Sequence, residues 1–281
     1  MWLRLWLLAL LANACAAVPA LGAAAPDAAP EYALGTVPLA EGGQLAYYVR
    51  EGEGPVLVLI PGSWGDFRVF DDVMKTLSPK YRVVIVELRG HGGSWPPTVD
   101  ASIELFADDV LKVVDALGIT RFYVGGHSIG GMVPIEVAHR RPEAVAGVIA
   151  IEGWTHHTVA RDAFEGVVTQ GLTPEQDAQR EAARARVQCR LTQKQIDAFG
   201  SAWRKWNGYE ALEKGTFPVL EMWGDRGKGP VDLKRMQIPE RPGISVVWVP
   251  NATHSLLLEA PEVVAEAINK WVDGLEAAHE G

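Results

Sequence analysis

The strongest constraint on the fold is an alternation. Short apolar, β-favouring runs at 44–50, 56–60, 82–88, 121–126, 144–151, 217–223 and 244–249 recur along the chain, and helical spacing fills most of the gaps between them. The run at 144–151 is apolar at nearly every position. Such a strand must be covered on both faces, as in a mostly parallel sheet lying between two layers of helices. The segment 67–77 carries Phe67, Phe70, Val73, Met74 and Leu77 at helical spacing. The segment 103–117 is helical and stopped by Gly118, and 261–275 is the closing helix. With 281 residues, 48% of them hydrophobic, the chain can bury one large core with a small lid. Its net charge of −9, without a basic cluster, argues against nucleic acid as a partner. The alternation stops between 153 and 216. There the polar, helix-favouring residues 174–200 precede Trp203 and Trp206, so a helical cap is expected over 153–216, with the core formed by 35–152 and 217–281.

The first 22 residues read differently. Met1-Trp2-Leu3-Arg4 is a short positive start, an apolar stretch follows, and Ala20-Leu21-Gly22 places small residues before Ala23. This is the pattern of an export signal cleaved near Gly22/Ala23, with 23–34 as a flexible lead-in. The apolar run is too short to span a bilayer comfortably. A secreted or periplasmic enzyme, free of the membrane once the signal is removed, is the expectation.

Gly126-His127-Ser128-Ile129-Gly130 stands between the strand at 121–126 and a helical pattern. A serine at a sharp strand-to-helix turn projects its hydroxyl above the sheet edge, in front of a helix N-terminus. That makes Ser128 the candidate nucleophile. A serine hydroxyl needs an adjacent base at neutral pH. Of the seven histidines, His254 is best placed, in a loop after the last strand and before the closing helix. His91 sits in a glycine turn and reads as structural. His127 should point away from the nucleophile by strand alternation. His156 and His157 lack a carboxylate or cysteine at ligand spacing, so no metal site is expected.

Four motifs in this order resemble the α/β-hydrolase superfamily: Ile60-Pro61-Gly62-Ser63-Trp64, Glu87-Leu88-Arg89-Gly90-His91-Gly92-Gly93-Ser94, the serine pentapeptide, and Ala252-Thr253-His254-Ser255 before Leu258-Glu259-Ala260-Pro261. The resemblance covers about residues 35–275. It implies a mostly parallel eight-stranded sheet flanked by helices, with a small helical cap. It also implies a triad whose acid usually follows a W-G pair by three residues. Glycine holds that position in Trp223-Gly224-Asp225-Arg226-Gly227, and Asp225 comes two residues early. Haloalkane dehalogenases and related luciferases instead place a glutamate at the end of the preceding strand, as Glu152 ends the run at 148–151 here. Glu152 is therefore the favoured acid and Asp225 the alternative. Those dehalogenases carry an aspartate in the elbow, whereas Ser128 suits attack on a carbonyl. The oxyanion donors implied are the backbone N–H groups of Ile129 and of Ser63 or Trp64. The usual His-Gly opening of that loop is replaced by Pro61-Gly62.

Trp64, Trp95, Trp154, Trp203 and Trp206 lie in segments expected to overhang Ser128, where indoles would line an apolar pocket. The resulting expectation is an exported serine hydrolase of small or medium carboxylic esters, aryl esters and lactones among them, working through an acyl-enzyme without metal or organic cofactor. An amidase, C–C hydrolase or perhydrolase could use the same serine. A ligand-binding pseudoenzyme is the alternative of another class.

Overall fold

A computed structural model describes residues 31–166 and 171–280. The expected export signal and most of the expected lead-in lie outside the described residues. Eight strands form one sheet: β1 (Ala33–Pro38), β2 (Gln44–Arg50), β3 (Val56–Ile60), β4 (Arg82–Val86), β5 (Phe122–His127), β6 (Val145–Ile151), β7 (Val219–Gly224) and β8 (Ile244–Val249). Their order is β1-β2-β4-β3-β5-β6-β7-β8. β2 runs antiparallel to both β1 and β4, and every pairing from β4 to β8 is parallel. β1 has no counterpart among the sequence-located runs. It is an edge strand whose residues are exposed or half-buried, so it lacks the apolar signal, and it begins inside the expected lead-in.

The central strands are apolar throughout because successive side chains feed opposite cores. In β3, Val58 and Ile60 enter one cluster while Leu57 and Leu59 enter the other; in β4, Val84 and Val86 oppose Val83 and Ile85. The first face is covered by α2 (Ile103–Ala116) and α3 (Ile129–Arg140). The second is covered by a 3-10 turn (Phe67–Phe70) continuing into α1 (Asp71–Thr76) and, after β8, by α8 (Leu256–Glu259) and α9 (Pro261–Glu280). α2 starts where it does because the Ser102 hydroxyl accepts from the Leu105 N–H.

Between β6 and β7 the chain forms α4 (Val159–Phe164), α5 (Pro174–Gln188), α6 (Gln193–Lys205) and α7 (Tyr209–Lys214). Reciprocal capping boxes at Thr173/Gln176 and Thr192/Gln195 fix the starts of α5 and α6. α6 turns Phe199 and Ala202 into the first core, which ties the segment to the sheet. A third cluster of Trp154, Val159, Phe164, Trp223, Met236 and Ile238 fills the space beneath α4. No helix of the described residues is long and apolar enough to cross a membrane.

Candidate active site

β5 delivers Ser128 at φ 58° and ψ −122°, a conformation that costs a non-glycine residue about 1–3 kcal/mol. The flanking glycines make it possible. A Cβ on Gly126 would lie 2.1 Å from the Ile60 carbonyl oxygen, and one on Gly130 2.2 Å from the same atom. The turn therefore presses on the end of β3, and no larger residue fits at either position.

Ser128, His254 and Glu152 form one hydrogen-bonded chain. The Ser128 Oγ lies 2.9 Å from His254 Nε2, and His254 Nδ1 lies 3.1 Å from Glu152 Oε2. With a neutral ring, Nδ1–H donates to the carboxylate and Nε2 accepts from the hydroxyl, the tautomer a general base needs. Glu152 follows the last residue of β6 and is fully buried. Burial pushes its carboxyl up. The Arg226 guanidinium and His254 outweigh that, and the net effect holds it below the usual carboxylate range. Arg226 grips both oxygens, Nη1 to Oε1 at 2.7 Å and Nη2 to Oε2 at 2.6 Å, and the Gly224 N–H donates to Oε1 at 2.7 Å. The guanidinium also lies 3.7 Å above the Phe164 ring.

Asp225 does something else. Its Oδ1 accepts from the Gly227 and Asn251 N–H groups, each at 2.7 Å, and so closes the loop after β7 onto the loop after β8. The alternative acid is thus engaged by backbone of these two loops, while Glu152 is the carboxylate bonded to His254. The sequence reading missed Arg226; the only signal was its place in Trp223-Gly224-Asp225-Arg226, at the end of a buried strand.

His127 also departs from expectation. Strand alternation breaks down at the turn, and its ring sits 4.9 Å from the His254 ring while Nε2–H donates to the His254 carbonyl. Enclosure by protein, with His254 beside it, pushes the His127 ring down to about 4, so it stays neutral.

The loop after β3 crosses directly over the serine. A Cβ on Gly62 would meet His127 Nδ1 at 2.8 Å and Ser128 Cβ at 3.3 Å. Of the two donor alternatives in this loop, the Trp64 N–H is occupied: it donates to His91 Nε2 at 3.1 Å. The Ser63 N–H is then the loop's remaining candidate donor, opposite Ile129, whose N–H opens α3 and has no intrahelical acceptor.

The tryptophans divide. The Trp154 ring stands 5.0 Å from the His254 ring and Trp203 packs edge-on to it at 5.9 Å. The Trp64 ring lies 4.7 Å from Phe199. Trp206 is buried in the first core and donates to Glu136 Oε2 at 3.0 Å, two turns along α3 from the serine. Trp95 pairs through its backbone with Gln44, at the start of β2, and lies under the Arg190 guanidinium at 4.3 Å. Both were expected to line the pocket; the structure gives both to packing.

Left-handed backbone marks the same place. Among the described residues, non-glycine positions with positive φ are Trp64, Ser128, Glu152, Glu165, Arg226, Gln237 and Asn251. Four of them, Trp64, Ser128, Glu152 and Arg226, belong to the cluster just described. Strain of this kind persists only where surrounding contacts over-determine the backbone, and it concentrates at functional sites.

Comparison with known proteins agrees with this architecture. The 2-(acetamidomethylene)succinate hydrolase of Mesorhizobium japonicum is 27% identical over 264 residues, 82% of this chain and 93% of its own. The crystal structure of an E-2-(acetamidomethylene)succinate hydrolase superposes with a TM-score of 0.67 at 23% identity, covering 86% of this chain and all of its own. That of a bacterial membrane phospholipase A superposes with a TM-score of 0.70 at 22% identity, covering 87% of each chain. At those identities the two structures speak for the fold. A model of the alpha/beta hydrolase fold matches residues 55–220, more than half of the chain. The chain is a member of the α/β-hydrolase family, and the relatives it resembles are hydrolases.

Proposed function

We propose that this protein is a serine hydrolase of small or medium carboxylic esters, aryl esters and lactones included, acting through an acyl-enzyme. The observation that carries the reading is the continuous chain from Ser128 Oγ to His254 Nε2 and from His254 Nδ1 to Glu152, at 2.9 and 3.1 Å. In the acylation step Ser128 Oγ attacks the ester carbonyl and its proton passes to His254. The Ile129 and Ser63 N–H groups receive the developing oxyanion, and His254 then protonates the leaving alcohol. Water repeats the sequence on the acyl-enzyme. Glu152 holds the ring's orientation and faces the imidazolium that forms. Trp154, Trp203 and Trp64 with Phe199 supply apolar, aromatic walls, which favours an aryl or alkyl group over a charged one.

The relative named for an (acetamidomethylene)succinate favours a second reading, hydrolysis of an amide-bearing dicarboxylate by the same serine. Against it, the side chains flanking the serine–histidine pair are aromatic, and the nearby Arg226 guanidinium is tied to Glu152.

The test is a fluorophosphonate probe on wild type and Ser128→Ala, followed by aryl esters, lactones and amides of graded size. Labelling and ester turnover lost in Ser128→Ala, with folding retained, support the reading; labelling that persists in the variant places the nucleophile elsewhere. Amide turnover exceeding ester turnover selects the second reading. Export is part of the same proposal, resting on the leader at 1–22, and the N-terminus of the secreted product checks it.

A further inference from the structure

The loop that carries Ser63 lacks the histidine with which such loops usually open, yet it holds a strained shape. Trp64 sits at φ 65°, where a bulky residue loses about 1–2 kcal/mol relative to ordinary backbone. Two side chains from the turn after β4 hold it there. His91 Nε2 accepts from the Trp64 N–H at 3.1 Å. Glu87 Oε1 accepts from the Phe67 N–H at 3.2 Å, while its Oε2 accepts from the Gly93 N–H at 2.7 Å. The second ring nitrogen of His91 faces the Arg89 carbonyl at 3.1 Å. A carbonyl can only accept, so Nδ1 carries the proton and Nε2 is bare. The two contacts thus require the same tautomer. His91 is 1% exposed and lies between the Trp64 ring at 5.7 Å and Phe199 of α6 at 4.6 Å. Removal from water pushes the ring down to about 4, so Nε2 remains an acceptor at neutral pH.

We infer that His91 is a positioning residue for the oxyanion hole: it fixes the Ser63–Trp64 peptide plane through the Trp64 N–H, and that plane, joined through the Ser63 Cα to the Gly62–Ser63 plane, restricts where the Ser63 N–H stands beside Ser128. The inference rests on the reading of Ser128 as nucleophile. It assigns chemistry to a histidine whose place in a glycine turn suggested only packing.

The experiment pairs two substitutions of equal length. His91→Gln keeps an acceptor near the Nε2 position, and His91→Met removes it. Losing a donor outright costs about 10²–10³ in rate, so a donor that is present but unheld should cost about 10- to 100-fold. The expected result for His91→Met is that loss in kcat with KM within twofold. The affinity for an aryl boronate that mimics the tetrahedral adduct should fall by a similar factor, and amide exchange at Trp64 should accelerate. His91→Gln should stay within a few-fold of wild type on all three. Equal behaviour of the two variants, or a loss confined to KM, overturns the inference. If His91→Met does not fold, ¹⁵N shifts of the wild-type imidazole decide: a ring protonated on Nδ1 sustains the assignment and one protonated on Nε2 sinks it. A wild type that neither labels with fluorophosphonate nor hydrolyses esters defeats the functional reading instead, and leaves the exchange and ¹⁵N measurements to judge His91 alone.

Discussion

Glu221→Gln should stabilise the protein, by an amount that depends on pH in a defined way. Glu221 lies on β7, fully buried, with Oε2 accepting from Trp223 Nε1 at 3.0 Å and Oε1 without a partner. Burial pushes its carboxyl up from 4.5 to about 8, the Trp223 bond opposes this, and the charge on Glu152 adds to the rise. Below the unfolded value of about 4.5, folded and unfolded chains are both protonated there, and glutamate and glutamine are close to equivalent. As pH rises through that value the unfolded chain loses its proton while the folded chain keeps it, so wild-type stability falls until about pH 8 and then levels off. At about 1.4 kcal/mol per pH unit the full interval sets a ceiling of roughly 5 kcal/mol. Relaxation and residual hydration should bring the observed gain to roughly 3 kcal/mol. Glutamine retains the acceptor for Trp223 and has nothing to ionise. The assay is urea unfolding of both proteins at several pH values from 4.5 to 8.5. The advantage of Glu221→Gln should be near zero at the acid end, grow steadily, and reach a plateau near pH 8. An offset independent of pH, or a variant less stable than wild type at pH 8, would refute the reasoning.

Other outcomes follow from the same contacts. Glu152→Gln should lower kcat by about 10³ or more, since it removes the charge facing His254, whereas Asp225→Asn should change turnover by less than a few-fold and reduce mainly the melting temperature; steady-state kinetics on one ester ranks them, and the reverse order transfers the acid role. Arg226→Met leaves a buried carboxylate without its cation and should cost about 3–5 kcal/mol in urea unfolding at pH 7. Gly126→Ala brings a Cβ within 2.1 Å of backbone and should yield protein that is insoluble or inactive, measured as soluble yield and probe labelling. Acidification from pH 6.5 towards 4 should destabilise the fold through His91 and His127. Both rings are pushed down to about 4, so the unfolded chain takes up protons first. His91→Gln should flatten that part of the stability curve.

β2, β3 and β8 begin and end where the sequence placed them: β3 because burial at nearly every position writes an apolar run, β2 and β8 because β-favouring residues such as Tyr47, Tyr48, Val246, Val247 and Trp248 persist at half-buried positions. β1 was not legible, since an edge strand with its side chains in or near solvent has no such pattern. The closing helix continues to Glu280, past the sequence estimate at 275, because its last turns are polar and give no stop signal. Ser128, His254 and Glu152 could be read from motif and strand ends, which fix a residue's place along the sheet edge. What could not be read depends on direction rather than place. His127 was assigned by strand alternation, a rule that fails at the first residue with positive φ. Trp95 and Trp206 were assigned by their segment, but Glu136 and Arg190 claim them. Arg226 and His91 act across loops distant in sequence, and no local spacing announces such contacts.

Glu152 and Glu221 show why a carboxyl's surroundings, and not its depth, decide what it can do. Both are fully buried at neighbouring strands, Glu152 one residue past β6 and Glu221 opposite Ala150 in the β6–β7 register. Burial alone pushes each carboxyl up. Around Glu152 the backbone turns to left-handed φ, which brings the Gly224 N–H, Arg226 and His254 onto its oxygens, and it remains charged. Around Glu221 the described residues supply one indole donor and a repelling neighbour in Glu152 itself, so it holds its proton. A protonated carboxyl at the position of Glu152 would face an imidazolium without opposing it. The ion pair with Arg226 is therefore a condition for the acid role proposed for Glu152 as well as a structural contact. Each charge there is desolvated at a cost that the other repays only while both are present. The same coupling makes the site fragile: removing either partner converts the second into an uncompensated buried charge beside His254.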